Sequence, residues 1–129
     1  MARRGRANLA EIPSSIITVG PIRVEASLLK VSVEGKTSSL TAMESMVLLF
    51  LAVNANNVCT ASQIVSYAWR VSNDEMTHMA HIYIRKLRHK IEPDPMNPTY
   101  ILTVPGVGYT LVSHDPDEAL QKISSENFV

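Results

Sequence analysis

The chain has 129 residues, its 12 Lys+Arg balance 12 Asp+Glu, and 46% of it is hydrophobic but only 5% aromatic; this is one globular domain by size, with an aliphatic core. A single cysteine, Cys59, excludes a disulfide framework or a zinc finger. The longest apolar run, "MVLLFLAV" at 46–53, falls well short of the ~20 residues a bilayer demands, and the basic N-terminus has no apolar centre to make it a secretory signal, so a cytoplasmic protein is expected.

Residues 1–15, "MARRGRANLAEIPSS", carry Arg3, Arg4 and Arg6 without apolar periodicity and read as a flexible basic tail or linker remnant. From Ile16 the chain becomes β-branched and alternating: "IITVGPIRVEAS", "LLKVSVEGK", "TSSL". Gly20-Pro21 interrupts the first run. Glu34-Gly35 is a tight turn between Val33 and Lys36, so three or four short antiparallel strands are expected.

Thr41 and Glu44 form a capping box: the hydroxyl bonds a free N–H inside the helix and the carboxylate reaches back to the cap. The helix that follows repeats Met43, Met46, Val47, Phe50 and Leu51 at helical spacing, which predicts its core face. The asparagines at 54, 56 and 57 end it, because Asn tolerates left-handed backbone. Thr60 caps a second helix whose buried stripe is read as Ile64, Tyr67 and Ala68 or Trp69. A third helix is capped by Asn73 or Asp74, has Asp74 and Glu75 at the positive end of its dipole, and stops at Ile91 or Glu92 before Pro93 and Pro95. Two β-type runs then flank Pro105-Gly106-Val107-Gly108, a hairpin signal. Residues 114–129 are a polar C-terminal tail.

The third helix carries the unusual chemistry. Arg85, Lys86, Arg88 and Lys90 crowd one segment, and no acidic residue lies between Glu75 and Glu92. At 100° per residue, Ala80, Ile84, Leu87 and Ile91 share the core side. His78, His81, Ile82, Arg85 and His89 lie opposite, Lys86 at their edge, Arg88 and Lys90 on the flanks. A solvated helix face ordinarily mixes signs, since like charges on neighbouring turns cost a few tenths of a kcal/mol. An unmixed cationic ridge suits a polyanion, and the ~12 Å major groove of B-DNA admits one helix. If about four cations pair with phosphate, affinity falls with log[salt] at a slope of roughly −3.6.

The pattern "HIYIRKLRHKIEPDPMNPTYILTVPGVGYTL" at 81–111 resembles the signature of OmpR/PhoB-type winged-helix domains, the DNA-binding effector domains of bacterial two-component response regulators. The likeness extends back through "LTAMESMVLLFLAVNANNVCTASQIVSYAW" to about Ile16. The resemblance implies an α+β winged helix-turn-helix over 16–113: an N-terminal antiparallel sheet, three helices and a C-terminal β-hairpin wing. It implies sequence-specific binding of double-stranded DNA in transcription regulation, with the third helix in the major groove. His78, Met79, His81, Ile82, Arg85 and Lys86 then face bases or sugar–phosphate. Trp69, Tyr83, Arg88, Thr103 and Tyr109 meet the backbone, Tyr83 and Arg88 alternatively bracing the helix. The loop of Arg70, Ser72, Asn73, Asp74 and Glu75 resembles the family's RNA polymerase contact, and two copies on direct repeats are expected. Pro105 departs from the family, which carries a minor-groove arginine there. His78, Met79 and His81 stand where Arg, Thr and an acid are usual, which implies a different operator. The start of the chain resembles the end of a receiver domain plus linker, so an excised effector domain is favoured over a stand-alone relative.

Other readings are weaker. His78 and His81 share a face at i,i+3, but no carboxylate or thiolate completes a metal site, so no metal or cofactor is expected. Cys59 has no activating base beside it and reads as a semi-buried helix-flanking residue. No acid–base pair suggests an enzyme. A winged-helix interaction module that takes an acidic protein partner on the same cationic helix is the main alternative.

Overall fold

The computed structural model describes residues 16–71 and 74–113; the expected N- and C-terminal tails lie outside the described residues. Strands β1 (Ile16–Val19), β2 (Ile22–Glu25), β3 (Lys30–Val33) and β4 (Lys36–Ser39) form an antiparallel sheet in the order β1-β2-β3-β4. Gly20-Pro21, which interrupts the first β-type run, is the β1–β2 turn, with Gly20 at φ +58°. Glu34 and Gly35 both take positive φ, 51° and 84°, which fits a two-residue turn matched to strand twist. Alternation puts Val19, Ile22, Val24 and Val31 on the buried face.

Helix α1 (Ala42–Val53) opens with the predicted box: Glu44 N–H donates to Thr41 Oγ1 at 3.2 Å, and Thr41 N–H to Glu44 Oε1 at 2.9 Å. Its core face is rotated from the expected one. Val47 and Leu51 are buried as expected, but Leu48 and Ala52 join them, while Met43, Met46 and Phe50 only flank the core. The helix ends at Asn54, and Asn56 takes the left-handed conformation at φ 67°. Asn56 also clasps the far end of the domain: its N–H donates to Leu111 O at 2.8 Å, and its side chain pairs with Ser113.

Helix α2 (Ala61–Trp69) has a second capping box, Thr60 with Gln63. Ile64, Val65 and Ala68 are its buried residues. Tyr67, expected there, is only half-buried and stacks on Phe50 with ring centroids 4.8 Å apart. Helix α3 (His78–Ile91) crosses both helices, and Ala80, Ile84, Leu87 and Ile91 are buried as the spacing predicts.

The C-terminal hairpin is β6 (Ile101–Val104) and β7 (Gly108–Leu111), but it is not two-stranded. Residues Cys59 and Thr60 form β5 and pair with β7 in the order β5-β7-β6. Cys59 is thus fully buried at 2% exposure, not semi-buried, and burial alone pushes its thiol up to about 11. This extra strand also changes the reading of the two wing glycines. Gly106 sits at φ +76° and serves the turn. Gly108 serves a close approach: a Cβ there would lie 2.0 Å from the Cys59 carbonyl oxygen.

Candidate nucleic-acid interface

The approach to α3 differs from expectation. A 3-10 turn, Asp74–Met76, precedes the helix, and its N-cap is Thr77, in helical conformation with no side-chain capping bond. Asn73 lies outside the described residues, and Asp74 opens the turn rather than the helix. His78 Nδ1 instead pairs with the Glu75 carbonyl at 3.0 Å, tying turn to helix.

The apolar stripe locks α3 onto the core, so the opposite face must point outward. His78, His81, Arg85, Lys86 and His89 are exposed there, with Ile82 at 43% among them. Met79 was expected among the groove-facing residues but is half-buried and packs against the core. Tyr83 is half-buried too: its ring meets Trp69 edge-on at 5.1 Å, and the Lys86 ammonium stands 5.8 Å from its centroid.

The four cations of the segment divide into two pairs. Arg85 and Lys86 make no hydrogen bond or ion pair among the described residues and stand in solvent. Arg88 turns toward the wing. Its Nε and Nη2 both donate to Ile101 O, at 3.1 and 2.8 Å, Nη2 donates to Thr103 Oγ1 at 2.9 Å, and the guanidinium lies 5.7 Å from the Tyr109 ring centre. Burial pulls its pKa below the ordinary value, against the opposing pull of Tyr109 and Glu92. Lys90 turns toward the sheet and α1, donating to Ser39 O at 2.7 Å and to Glu44 Oε1 at 2.6 Å. Burial alone would raise the Glu44 carboxyl, but the Lys90 ammonium and the Thr41 N–H outweigh it and the net pKa is lowered. Lys90 is therefore a clamp between layers rather than a flanking surface charge.

The wing is fastened from below by a residue that sequence reasoning passed over. Glu92 is the C-cap of α3 and 7% exposed. Its carboxylate accepts the N–H groups of Thr99 at 2.8 Å, Tyr100 at 3.1 Å and Ile101 at 2.7 Å, fixing where β6 begins. The only signal was an acid directly after a cationic helix and before Pro93, inside the motif that carries the resemblance.

From above, Tyr109 closes the joint. It was expected to meet phosphate, yet it is only 7% exposed and its hydroxyl is hydrogen-bonded to His81 Nδ1, with the two rings edge-to-face at 5.7 Å. Thr103 is exposed on the wing, with its hydroxyl already accepting from Arg88. Pro105, Gly106 and Val107 form the exposed tip. His81, Thr103, Tyr109 and Ala61 border a cleft of about 180 Å³ between α3 and the wing. On the far side of α2, Arg70 takes left-handed backbone at φ 59° and reaches over the Tyr67 ring. Glu75 is exposed, and Ser72 lies outside the described residues. Among the described residues no three potential ligands gather to hold a metal, and no helix is long and apolar enough to cross a membrane.

The chain is similar to known proteins in sequence and in fold. A family model described as "Transcriptional regulatory protein, C terminal" matches residues 35–111. Sensory transduction protein RegX3 of Mycobacterium leprae (strain TN) is 35% identical over 111 residues, 86% of this chain and 56% of RegX3. DNA-binding response regulator MtrA of Mycolicibacterium smegmatis is 32% identical over 97 residues, 75% of this chain and 42% of MtrA. The chain thus spans about half the length of the curated relatives it matches. The DNA-binding domain of E. coli CadC superposes with a TM-score of 0.66 at 27% identity, over 77% of this chain and 92% of that one. The RstA DNA-binding domain of Klebsiella pneumoniae, solved in complex with the RstA box, gives 0.68 at 23% identity, over 77% and 98%, a likeness of winged-helix fold.

Proposed function

The chain belongs to the family of C-terminal domains of transcriptional regulatory proteins, and on that premise we propose that it is the output domain of a two-component response regulator, binding double-stranded DNA by sequence. Helix α3 enters the major groove, and the wing lies against the flanking backbone. The observation that supports this most is the outward face of α3: Arg85, Lys86, His78, His81 and His89 are exposed on a helix that carries no acid between Glu75 and Glu92 and whose other side is locked into the core. Arg85 and Lys86 neutralise phosphate or donate to guanine, and Ile82 meets a thymine methyl. Trp69, Tyr83 and Thr103 border the strand backbone. Arg88 and Tyr109 act mainly from behind, holding the wing at a fixed angle to α3. The work is recognition rather than catalysis, and it takes place in the cytoplasm.

On the same reading two copies sit head to tail on direct repeats, and Arg70, Asp74 and Glu75 with their neighbours form the surface offered to RNA polymerase. Pro105 cannot enter the minor groove as an arginine would, so specificity rests on α3 alone. Selection of duplexes from a random library tests the proposal. A consensus with one half-site per domain is expected. Binding of an acidic protein with no preference among duplexes would transfer the function to the interaction-module reading.

A further inference from the structure

His81 stands on the outward face of α3, yet one of its two ring nitrogens is already committed. Nδ1 is hydrogen-bonded to the Tyr109 hydroxyl, and among the described residues that hydroxyl has no second partner. A phenol has one hydrogen to give, and Tyr109 at 7% exposure has little access to water. The economical arrangement is for Tyr109 to donate to an unprotonated Nδ1. Burial also pushes the phenol above its ordinary pKa of 10.0, against a smaller opposing effect of Arg88, so it keeps its proton at neutral pH. One turn away on α3 stand His78 and Arg85, Arg88 lies over the Tyr109 ring, and no carboxylate is hydrogen-bonded to His81 among the described residues.

A neutral imidazole whose Nδ1 accepts must carry its hydrogen on Nε2. We propose that Tyr109 is a positioning residue that fixes His81 in the Nε2–H form, making His81 a committed donor that reads an acceptor edge, guanine N7 or O6, in the major groove. The base-reading half rests on the DNA-binding proposal above; the Tyr109–His81 half does not. Guanine offers two acceptors side by side in that groove, whereas cytosine offers a donor. Tyr109 thereby links the wing to specificity without touching a base.

Two measurements on the full chain separate the halves. Long-range nitrogen–proton correlation of the imidazoles should show His81 with an unprotonated, hydrogen-bonded Nδ1 and a protonated Nε2. In Tyr109→Phe the His81 nitrogens should move and His78 and His89 should not. Hydrogen on Nδ1, or an unchanged His81 in Tyr109→Phe, overturns the positioning role. Duplex selection should then give a guanine at one position that His81→Ala and Tyr109→Phe both relax, each by at least about fivefold, the lower end of what one base pair contributes. A cytosine at that position, relaxation at different positions in the two variants, or no preference at all overturns the reading role while leaving the spectroscopic result to stand.

Discussion

Arg85→Ala and Arg88→Ala, measured side by side, should fail in different ways. Arg85 is exposed and unengaged, so in the complex it is available to one phosphate. Each neutralised phosphate contributes about −0.9 to the slope of log K against log[salt]. Raising salt fourfold, as from 50 to 200 mM, therefore costs ~3.5-fold in affinity per contact and ~12-fold for Arg85 and Lys86 together. Arg85→Ala should flatten the slope by about 0.9 and leave stability unchanged. Arg88 spends its donors on Ile101 O and Thr103 Oγ1. Its removal should leave the slope almost unaltered but destabilise the fold by about 1.5–3 kcal/mol, the range for hydrogen bonds from a charged donor at a half-buried site. Anisotropy titrations of a labelled duplex at several salt concentrations give the slope, and urea melts give the stability. If Arg88→Ala flattens the slope as much as Arg85→Ala and melts like the parent, the division of cations into outward and inward pairs is wrong. The division also revises the slope expected from this helix, from about −3.6 for four contacts to about −1.8 for two.

Other consequences follow from the buried groups. Glu92→Ala strands three N–H groups; Ile101 is buried and loses its partner outright, whereas Thr99 is exposed and can turn to water, so a loss of about 3 kcal/mol in a urea melt is expected, and a loss under about 1 would refute the role. Glu44 has a folded pKa below its ordinary 4.5, so its contribution is complete above that value and is lost as pH falls through the folded pKa; acid-limb melts of Lys90→Met should show lower stability at neutral pH and a shallower decline on acidification. Gly108→Ala must push its Cβ against the Cys59 carbonyl from 2.0 Å, a clash with backbone that costs about 3 kcal/mol or more, the upper end of overpacking. Gly106→Ala meets nothing within 4 Å and carries only the backbone cost of φ +76°, about 1–2 kcal/mol, so equal effects in calorimetry would show that β5 does not pack as described.

What could be read from the residues depended on how cleanly each segment separates its two faces. In α3 the polar residues that separate Ala80, Ile84, Leu87 and Ile91 leave that stripe one possible phase, with Met79 at its edge and Ile82 outside it. In α1 the unbroken run from Met46 to Val53 leaves the phase open, and contact with sheet, α2 and α3 at once, not periodicity, decides that Leu48 and Ala52 go inside. The two capping boxes and the Glu34-Gly35 turn are local chemistry and were legible, although the Thr60–Gln63 half-box was read only through its cap. Strand β5 was not legible, because two residues acquire their strand character from pairing with β7, about fifty positions away. The candidate interface was legible as a set of exposed side chains but not as a set of free ones. A cation on a helix flank looks the same in sequence whether it faces water, as Lys86 does, or a carboxylate 46 residues earlier, as Lys90 does.

That last distinction explains why a neutral chain concentrates its cations on one helix. A ridge of four unpaired cations would repel itself on adjacent turns and would leave the wing loosely hinged. Here Lys90 draws α3 against the sheet through Ser39 and Glu44, and Arg88 draws β6 against α3. Glu92, at the end of the same helix, sets the starting point of that strand. Tyr109 then returns from β7 to His81 on the exposed face. Helix and wing are thus joined at three levels along α3, by a carboxylate at its base, a guanidinium midway and a phenol near its top. On the DNA-binding proposal, such a joint lets both elements approach a duplex as one body, with little ordering left to do on contact. Half the charge of the segment fixes the shape of the reading surface, and the other half is left for the partner.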